Sequence, residues 1–494
     1  KMNNKLIDQF KPAWWLYAFL TFHLLGWFLI PALVRFNLPL DAMEGSIWAH
    51  QLQWGYDKDP FLNGWLTALG IYLDGYSGWI LYLFAQIAVV SSLWVVWQLG
   101  KTMLSPAYAL LSVLVLEGVQ YYNFHAIDFN DNTLELGLWA LSIYFFYQAL
   151  TRPSRFNWIL TGLFTGLCMM AKYYTAALLA TMALFLFVRP ENRKQLSTLS
   201  PYLGLAAFLA VIFPHVIWLF SHDFITVKYV MLRASSEPAW TNHLVFPVQF
   251  IWEQFQVFMP ALILFAFLFS GKKPRLASPA LAVRVFDKSF LFYIGLGPLL
   301  LTALLSLISG IKLRAGWGMP LLTLCSIILF TQLQPRLSLQ KMRIFTAGIF
   351  CFLGLLLGAY TFSLTSSTST SSANFPGKEI AKQITDLWYE KYHTKLSYVA
   401  GSRWVGGNIG FYSTEHPAVF VQWDPKRAPW IDLKDLKMKG AVFVWDITED
   451  ELLPDAVRAA YPRMTKPVIM RFNWHRNRHN LPPQEIGVAF LPPA

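Results

Sequence analysis

The sequence predicts a polytopic, mainly α-helical membrane protein that ends in a small soluble α/β domain. Three observations predict it. Apolar residues come in blocks of about 18 to 25, the length that crosses a hydrocarbon core of ~30 Å. Charged residues make up only 14% of the 494, with 55% hydrophobic and 17% aromatic, whereas soluble proteins carry roughly a quarter charged. After Tyr360 the composition becomes that of an ordinary soluble protein.

The blocks place spans near 13–33, 77–99, 103–120, 133–150, 157–172, 174–188, 200–220, 245–270, 289–309, 316–334 and 342–362. These make about 11 to 13 transmembrane helices once short or fused segments are counted. The apolar stretch 64–73 is short and reads as re-entrant or interfacial. The opening KMNNKLIDQFK is basic and meets the first span with no small-residue cleavage site, so it reads as leading into a retained helix.

The net charge of +12 does not point to nucleic acid, because Lys and Arg cluster in short loops between spans. With the N-terminus inside, the inner segments hold Lys1, Lys5, Lys11, Lys101, Arg152, Arg155, Arg189, Arg193 and Lys194. They continue with Lys272, Lys273, Arg275, Arg284, Lys288, Arg336, Lys341 and Arg343. Outer loops of the membrane part hold only Arg35, Lys58, Lys172, Lys228, Arg233, Lys312 and Arg314. The expected topology is therefore N-terminus in the cytoplasm and C-terminus outside. Acidic residues show the complementary pattern: Asp41, Glu44, Asp57, Asp59, Asp74, Glu117, Asp128, Asp131 and Glu135 lie in or beside outer loops. An anionic ligand handled at the outer surface would account for the few cations there. Cys168, Cys325 and Cys351 lie within apolar spans and form neither a disulfide framework nor a metal-ligand spacing.

Residues 1–362 thus form the membrane part, and 363–376 a Ser/Thr-rich linker. In 377–494, KEIAKQITDLWYEKY and EDELLPDAVRAAY read as helices and KLSYVAG, AVFVQW and GAVFVWDI as buried strands. GGNIG at Gly406–Gly410 reads as a turn, being too short and misplaced for a dinucleotide fingerprint.

The first outer loop, RFNLPLDAMEGSIWAHQLQWGYDKDPFLNGW, carries more than a connection needs. If 42–54 is helical, Asp41 and Glu44 share a face. The loop closes on a charged knot, Tyr56-Asp57-Lys58-Asp59-Pro60. This arrangement resembles the GT-C glycosyltransferases that use polyprenyl-phosphate sugars, in particular the protein O-mannosyltransferase and aminoarabinose lipid A transferase group. There an acidic pair in the first outer loop precedes a Lys-Pro element. The matching positions here are Asp41, with Glu44 displaced from the adjacent position the group uses, and Lys58 followed by Asp59-Pro60. HAIDFNDNTLELGLWALSIYFF resembles the second outer loop, with Asp131 as its acid and Asp128 as the alternative. TGLFTGLCMMAKYY resembles a Gly-rich helix ending in Lys172, and SGIKLRAGWGMPLL a late element with Lys312, Arg314, Trp317 and Pro320. The resemblance covers about residues 14–330.

The resemblance implies a multi-pass protein of a bacterial inner (plasma) membrane with its C-terminal domain in the periplasm. It also implies a polyprenyl (undecaprenyl) phosphate sugar donor and a lipid A or other glycan acceptor, with membrane lipids around them. Departure of a lipid phosphate needs positive charge, which Lys58 would supply, with Lys172, Lys312 and Arg314 as further phosphate contacts. Asp41 would take the proton of an acceptor hydroxyl as the anomeric carbon is attacked, giving inversion; as the bland reading, it caps the following helix. Asp131 likewise has a reading as an N-cap, shared with Asn132. Tyr56, Asp128 and Arg233 are candidate substrate contacts. Asp41, Glu44 and Asp131 offer hard oxygen ligands for a divalent metal, which their spacing alone does not establish. The long 221–244 loop is partly amphipathic, and a loop of that length tends to be functional. Charges gathered at one face, with almost none in mid-span, weigh against a transporter or flippase. A sensor or scaffold would not need so many spans.

Overall fold

The computed structural model describes residues 10–269, 283–366, 370–449, 451–477 and 480–494. Lys1, Lys5, Lys272, Lys273 and Arg275, expected in cytoplasmic segments, lie outside the described residues.

Among the described residues, six helices are long and apolar enough to cross a membrane: Pro12–Val34, Trp79–Met103, Ser200–Ser221, Asn242–Phe267, Val285–Ser309 and Leu339–Thr365. Their 22 to 27 residues extend roughly 33–40 Å at ~1.5 Å per residue. Two bent pairs raise the number to eight, Tyr173–Val188 with Pro190–Ser197 and Ala315–Leu322 with Cys325–Gln332. The chain is a multi-pass membrane protein. The other expected spans exist as helices that fall short of that length or apolarity. Asp131–Thr151 carries Asp131 and Glu135 in its first turns, and Arg155–Ala171 has 17 residues. The expected span 103–120 is Pro106–Leu114, which tightens into 3-10 turns after Leu114.

Val285–Ser309 widens to a π-helical stretch over Leu291–Leu296, just before Gly297-Pro298. The Pro298 ring and its missing N–H disrupt the regular ladder there. Arg155–Ala171 and Ser200–Ser221 cross with their backbones in contact. A Cβ at Gly162 would stand 1.8 Å from the Gly204 carbonyl oxygen, and one at Gly204 would stand 2.5 Å from that of Trp158. Close crossings through small residues are how membrane helices gain packing energy when lipid is as apolar as the protein. The short apolar stretch after Pro60 is a helix of 13 residues, Leu62–Asp74, stopped by Gly75 in the left-handed conformation.

The C-terminal domain is one mixed five-stranded sheet in the order β2-β1-β3-β5-β4. β1 (Tyr398–Gly401) pairs in parallel with β2 (Ala418–Val421) and β3 (Ala441–Asp446). β5 (Gln484–Leu491) runs antiparallel to both β3 and β4 (Val468–Phe472). The first three strands are those expected. The expected helix at EDELLPDAVRAAY contracts to Asp455–Ala460, and Asp450 lies outside the described residues.

GGNIG is not a turn but the interior of helix Arg403–Tyr412. Its glycines are there for close approach. Gly406 and Gly410 back onto Val419, while Gly407 meets Met43 and Ile47. That helix therefore lies between the sheet and the first-loop helix Leu40–Ala49, and it seats the C-terminal domain directly behind the loop.

Candidate active site

The first-loop helix Leu40–Ala49 has no side-chain cap of its own. Its free N–H groups are taken from outside: Asp128 Oδ2 accepts from Asp41 N at 3.2 Å and Oδ1 from Ala42 N at 2.9 Å. Asp128, expected as a substrate contact, thus serves as a cap that staples the two outer loops together. The cap of Asp131–Thr151 is Asn130, rather than Asp131 or Asn132. Asn130 Oδ1 accepts from Thr133 N at 2.9 Å, and its Nδ2 donates to Asp41 Oδ2, also at 2.9 Å. Asp41 Oδ1 keeps no hydrogen-bond partner among the described residues. Asp41 itself sits inside the first turn and caps nothing.

The charged knot folds as a tight turn, with Gly55 bridged to Pro60 and Tyr56 N donating to Asp59 O at 2.9 Å. It turns Lys58 and Asp59 one way and Tyr56 the other. Tyr56 is buried, stacked on Trp48 at 5.2 Å and packed against Gly64. Tyr56, expected as a substrate contact, is placed as a packing residue.

These elements open onto a cavity of about 470 Å³. Six of the expected site residues line it: Asp41, Glu44, Lys58, Asp131, Lys172 and Arg233. Asp59 joins them, and an apolar part of the wall is built from Ala176, Ala177, Ala180, Leu301, Leu305, Ile311 and Leu313. Arg233 comes from helix Ile225–Ala234, which forms in the long loop, together with Tyr229 and Val230. Lys312 and Arg314 are not among the lining residues. Their segment is extended, so alternate side chains face opposite ways; Ile311 and Leu313 face the cavity and the two cations do not.

Most charges here already have partners. Lys172 Nζ pairs with Asp131 at 2.8 Å and also donates to Asn132. Lys58 Nζ pairs with Glu44 at 2.8 Å and stands 5.7 Å from the centre of the Tyr229 ring. Behind Glu44, the C-terminal domain sends in Arg403, whose fork holds Glu44 and Asp57 together. Among the described residues, Asp41, Asp59 and Arg233 enter no ion pair. Asp41, Glu44 and Asp131 are not gathered as a metal-binding group: no cluster of three or more His, Cys, Asp or Glu suited to a metal occurs among the described residues.

Burial shifts the carboxyls. It raises Asp41 above its ordinary value, and the nearby charge of Asp131 adds to this while the Asn130 hydrogen bond opposes it. Asp59 is held well above the carboxylate range, by burial and then by Asp131. Glu44 is also raised by burial, although Arg403 and Lys58 pull it down. The result is a carboxylate of enhanced basicity, Asp41, lining the same cavity as three cations and a set of apolar side chains. Such a cavity suits an amphiphile with an anionic head. Asp59, Asn130 and Arg403 were not expected as site residues. The composition of the charged knot drew attention to Asp59, but nothing in the sequence marks Arg403.

The model of the dolichyl-phosphate-mannose-protein mannosyltransferase family matches residues 58–218. The lipopolysaccharide core galacturonosyltransferase RgtA of Rhizobium johnstonii is 25% identical over 229 residues, 44% of this chain. That match spans 45% of the relative, so the chain covers about half the length of the curated protein it resembles. Two crystal structures of ArnT from Cupriavidus metallidurans, one bound to undecaprenyl phosphate and one apo, share the fold with a TM-score of 0.63 and 14% identity. They cover 96% and 97% of this chain, and 98% of each ArnT chain is covered. The chain shares the fold of the ArnT structures over nearly its whole length.

Proposed function

We propose that this GT-C-fold chain is a membrane glycosyltransferase that moves a sugar from a polyprenyl phosphate carrier to a lipopolysaccharide or related glycan acceptor. The observation that carries the reading is one cavity that Asp41, Lys58 and Arg233 line together with a set of apolar side chains. The wall suits a polyprenyl chain, and the cations suit its phosphate. The undecaprenyl phosphate bound by ArnT and the lipopolysaccharide core acceptor of RgtA support the two substrate classes.

In this reading the acceptor hydroxyl attacks the anomeric carbon from the face opposite the phosphate. The bond from that carbon to the phosphate oxygen breaks, the hydroxyl proton passes to Asp41, and the configuration inverts. Lys58, with Arg233, compensates the charge that grows on the departing phosphate monoester. Lys172 acts through Asp131, pairing with it at 2.8 Å beside Asp41. Helix connectivity supports an outer-face site: Lys101, Arg152 and Arg155 lie at the ends of helices remote from the cavity, where positive-inside bias places cytoplasmic loops.

The test is mass spectrometry of lipopolysaccharide incubated with the purified chain and a panel of undecaprenyl-phosphate sugars. A glycosyl increment that disappears in Asp41→Asn supports the assignment. No increment with any donor, in protein that remains folded, refutes it.

A further inference from the structure

The contact between Arg403 and the first outer loop gives the C-terminal domain a part in phosphate binding. Glu44 is buried at 6% exposure, and its carboxylate serves two cations at once. Lys58 Nζ stands 2.8 Å from both oxygens, and Arg403 shares Oε1 with it. The second amino group of Arg403 goes to Asp57, the neighbour of Lys58 in the chain. Two carboxylates and two cations therefore form one closed network. Within it Arg403 holds both acids, whereas Lys58 holds only Glu44. Lys58 is also the more exposed cation, with 23% of its side chain accessible against 12% for Arg403, and it is the one that lines the cavity.

We propose that Arg403 is a positioning residue that keeps Glu44 paired so that Lys58 is released to the phosphate group of an incoming lipid. This rests on reading the cavity as a donor site. Without Arg403 the only cation on buried Glu44 would be Lys58. A phosphate that drew Lys58 away would then leave a buried carboxylate uncompensated, a strongly unfavourable state. With Arg403 in place, Glu44 and Asp57 stay paired while Lys58 turns. The fork of a guanidinium suits this task, since it grips two carboxylates at fixed angles and stays charged.

Local structure explains how the residue is aimed. Arg403 opens its helix immediately after β1 (Tyr398–Gly401), and Ser402 Oγ caps that helix by accepting from Val405 N at 3.2 Å. Gly407, one turn further on, lets the helix settle against Met43 and Ile47 of the first-loop helix. Seating the domain and pinning Glu44 are consequently one event.

The test is binding of undecaprenyl phosphate to the full chain in lipid nanodiscs, followed by native mass spectrometry, with inorganic phosphate as competitor. Arg403→Ala is expected to weaken binding at least tenfold. Adding Glu44→Gln to it is expected to recover affinity to within about threefold of Glu44→Gln alone, because an amide does not hold Lys58. A merely structural Arg403 would not be rescued by removing the charge of Glu44. If Arg403→Ala does not fold, Arg403→Lys carries the same comparison, since one ammonium does not hold both acids. Unchanged affinity in the folded single variant, or a loss that Glu44→Gln does not recover, overturns the role of Arg403 alone. A wild-type chain that binds no undecaprenyl phosphate overturns the donor reading and this inference with it.

Discussion

Glu44 and Arg403 stand 359 positions apart in the chain and meet in a buried ion pair at the edge of the cavity. The membrane part and the C-terminal domain therefore share one electrostatic network. Its output is the availability of Lys58, and the variants that follow separate that output from base catalysis and from packing.

Asp41 should control the acid limb of turnover. Burial and Asp131 raise its folded carboxyl above the ordinary value, so it takes up a proton at a higher pH than a free aspartate, whose value is about 3.9. The protonated form cannot accept the acceptor's proton. Activity should fall as pH drops through the raised value, while donor binding, which needs Lys58, persists. A pH profile of kcat/KM is expected to show this limb in wild type. Asp41→Asn is expected to lose roughly 10²–10⁴-fold in kcat, as removal of a general base does, with the limb absent from what remains. An unshifted limb in Asp41→Asn would assign the proton elsewhere.

Lys58→Gln should affect kcat as well as donor affinity. Its charge matters most as the phosphate departs, so the loss belongs to the transition state and is expected at roughly 10²–10³-fold, the range for a lost electrostatic stabiliser. Steady-state kinetics with varied donor would resolve the two effects. A rise in KM at constant kcat would show that Lys58 contributes only uniform binding.

How far the sequence revealed the site depends on what positions each residue. Asp41, Glu44 and Lys58 were legible because they crowd one short outer loop, and sidedness together with the family resemblance pointed there. Lys312 and Arg314 were picked by the family resemblance and their place near a helix end, which say nothing of the two-residue alternation that gives the cavity Ile311 and Leu313. Arg403 carried no signal at all, since its meaning lies in a contact that only the docked domain creates. The glycines of GGNIG were read through turn chemistry, yet they serve helix packing on two faces. Burial by a partner element leaves no local trace in composition.

The pair of Lys172 and Asp131 gives a stability test. Both side chains are largely buried, at 12% and 18% exposure, so removing one leaves the other charged and desolvated. Lys172→Met is expected to destabilise the folded chain by roughly 3–5 kcal/mol, the usual cost of breaking a buried pair. Thermal unfolding in detergent would measure it. Adding Asp131→Asn should recover much of that stability without restoring turnover, because Asp41 would lose the neighbour that raises its basicity. Recovery of both would show that the pair is structural only.

The crossing of Arg155–Ala171 with Ser200–Ser221 should be the least tolerant place in the bundle. A methyl at Gly162 would fall 1.8 Å from the Gly204 carbonyl oxygen. That neighbour is backbone and cannot rotate away, so the two helices must part. Overpacking of a tight core costs roughly 1–3 kcal/mol, and parting the helices adds the loss of contacts along the whole crossing. Gly162→Ala is therefore expected to lower the unfolding midpoint clearly. Gly348→Ala, where nothing stands within 4 Å of the added methyl, should be neutral or slightly stabilising through helix propensity. The crossing also sets the register between Lys172, which follows the first helix, and His215 of the second. His215 Nδ1 donates to Trp54 O at 2.5 Å, and Nε2 meets Tyr173 Oη. Because a carbonyl only accepts, Nδ1 carries the proton and Nε2 receives the one from Tyr173, which fixes the wall residue beside Lys172. Gly162→Ala should for that reason reduce donor affinity even where it folds, and equal affinity in the two glycine variants would show that the crossing is uncoupled from the site.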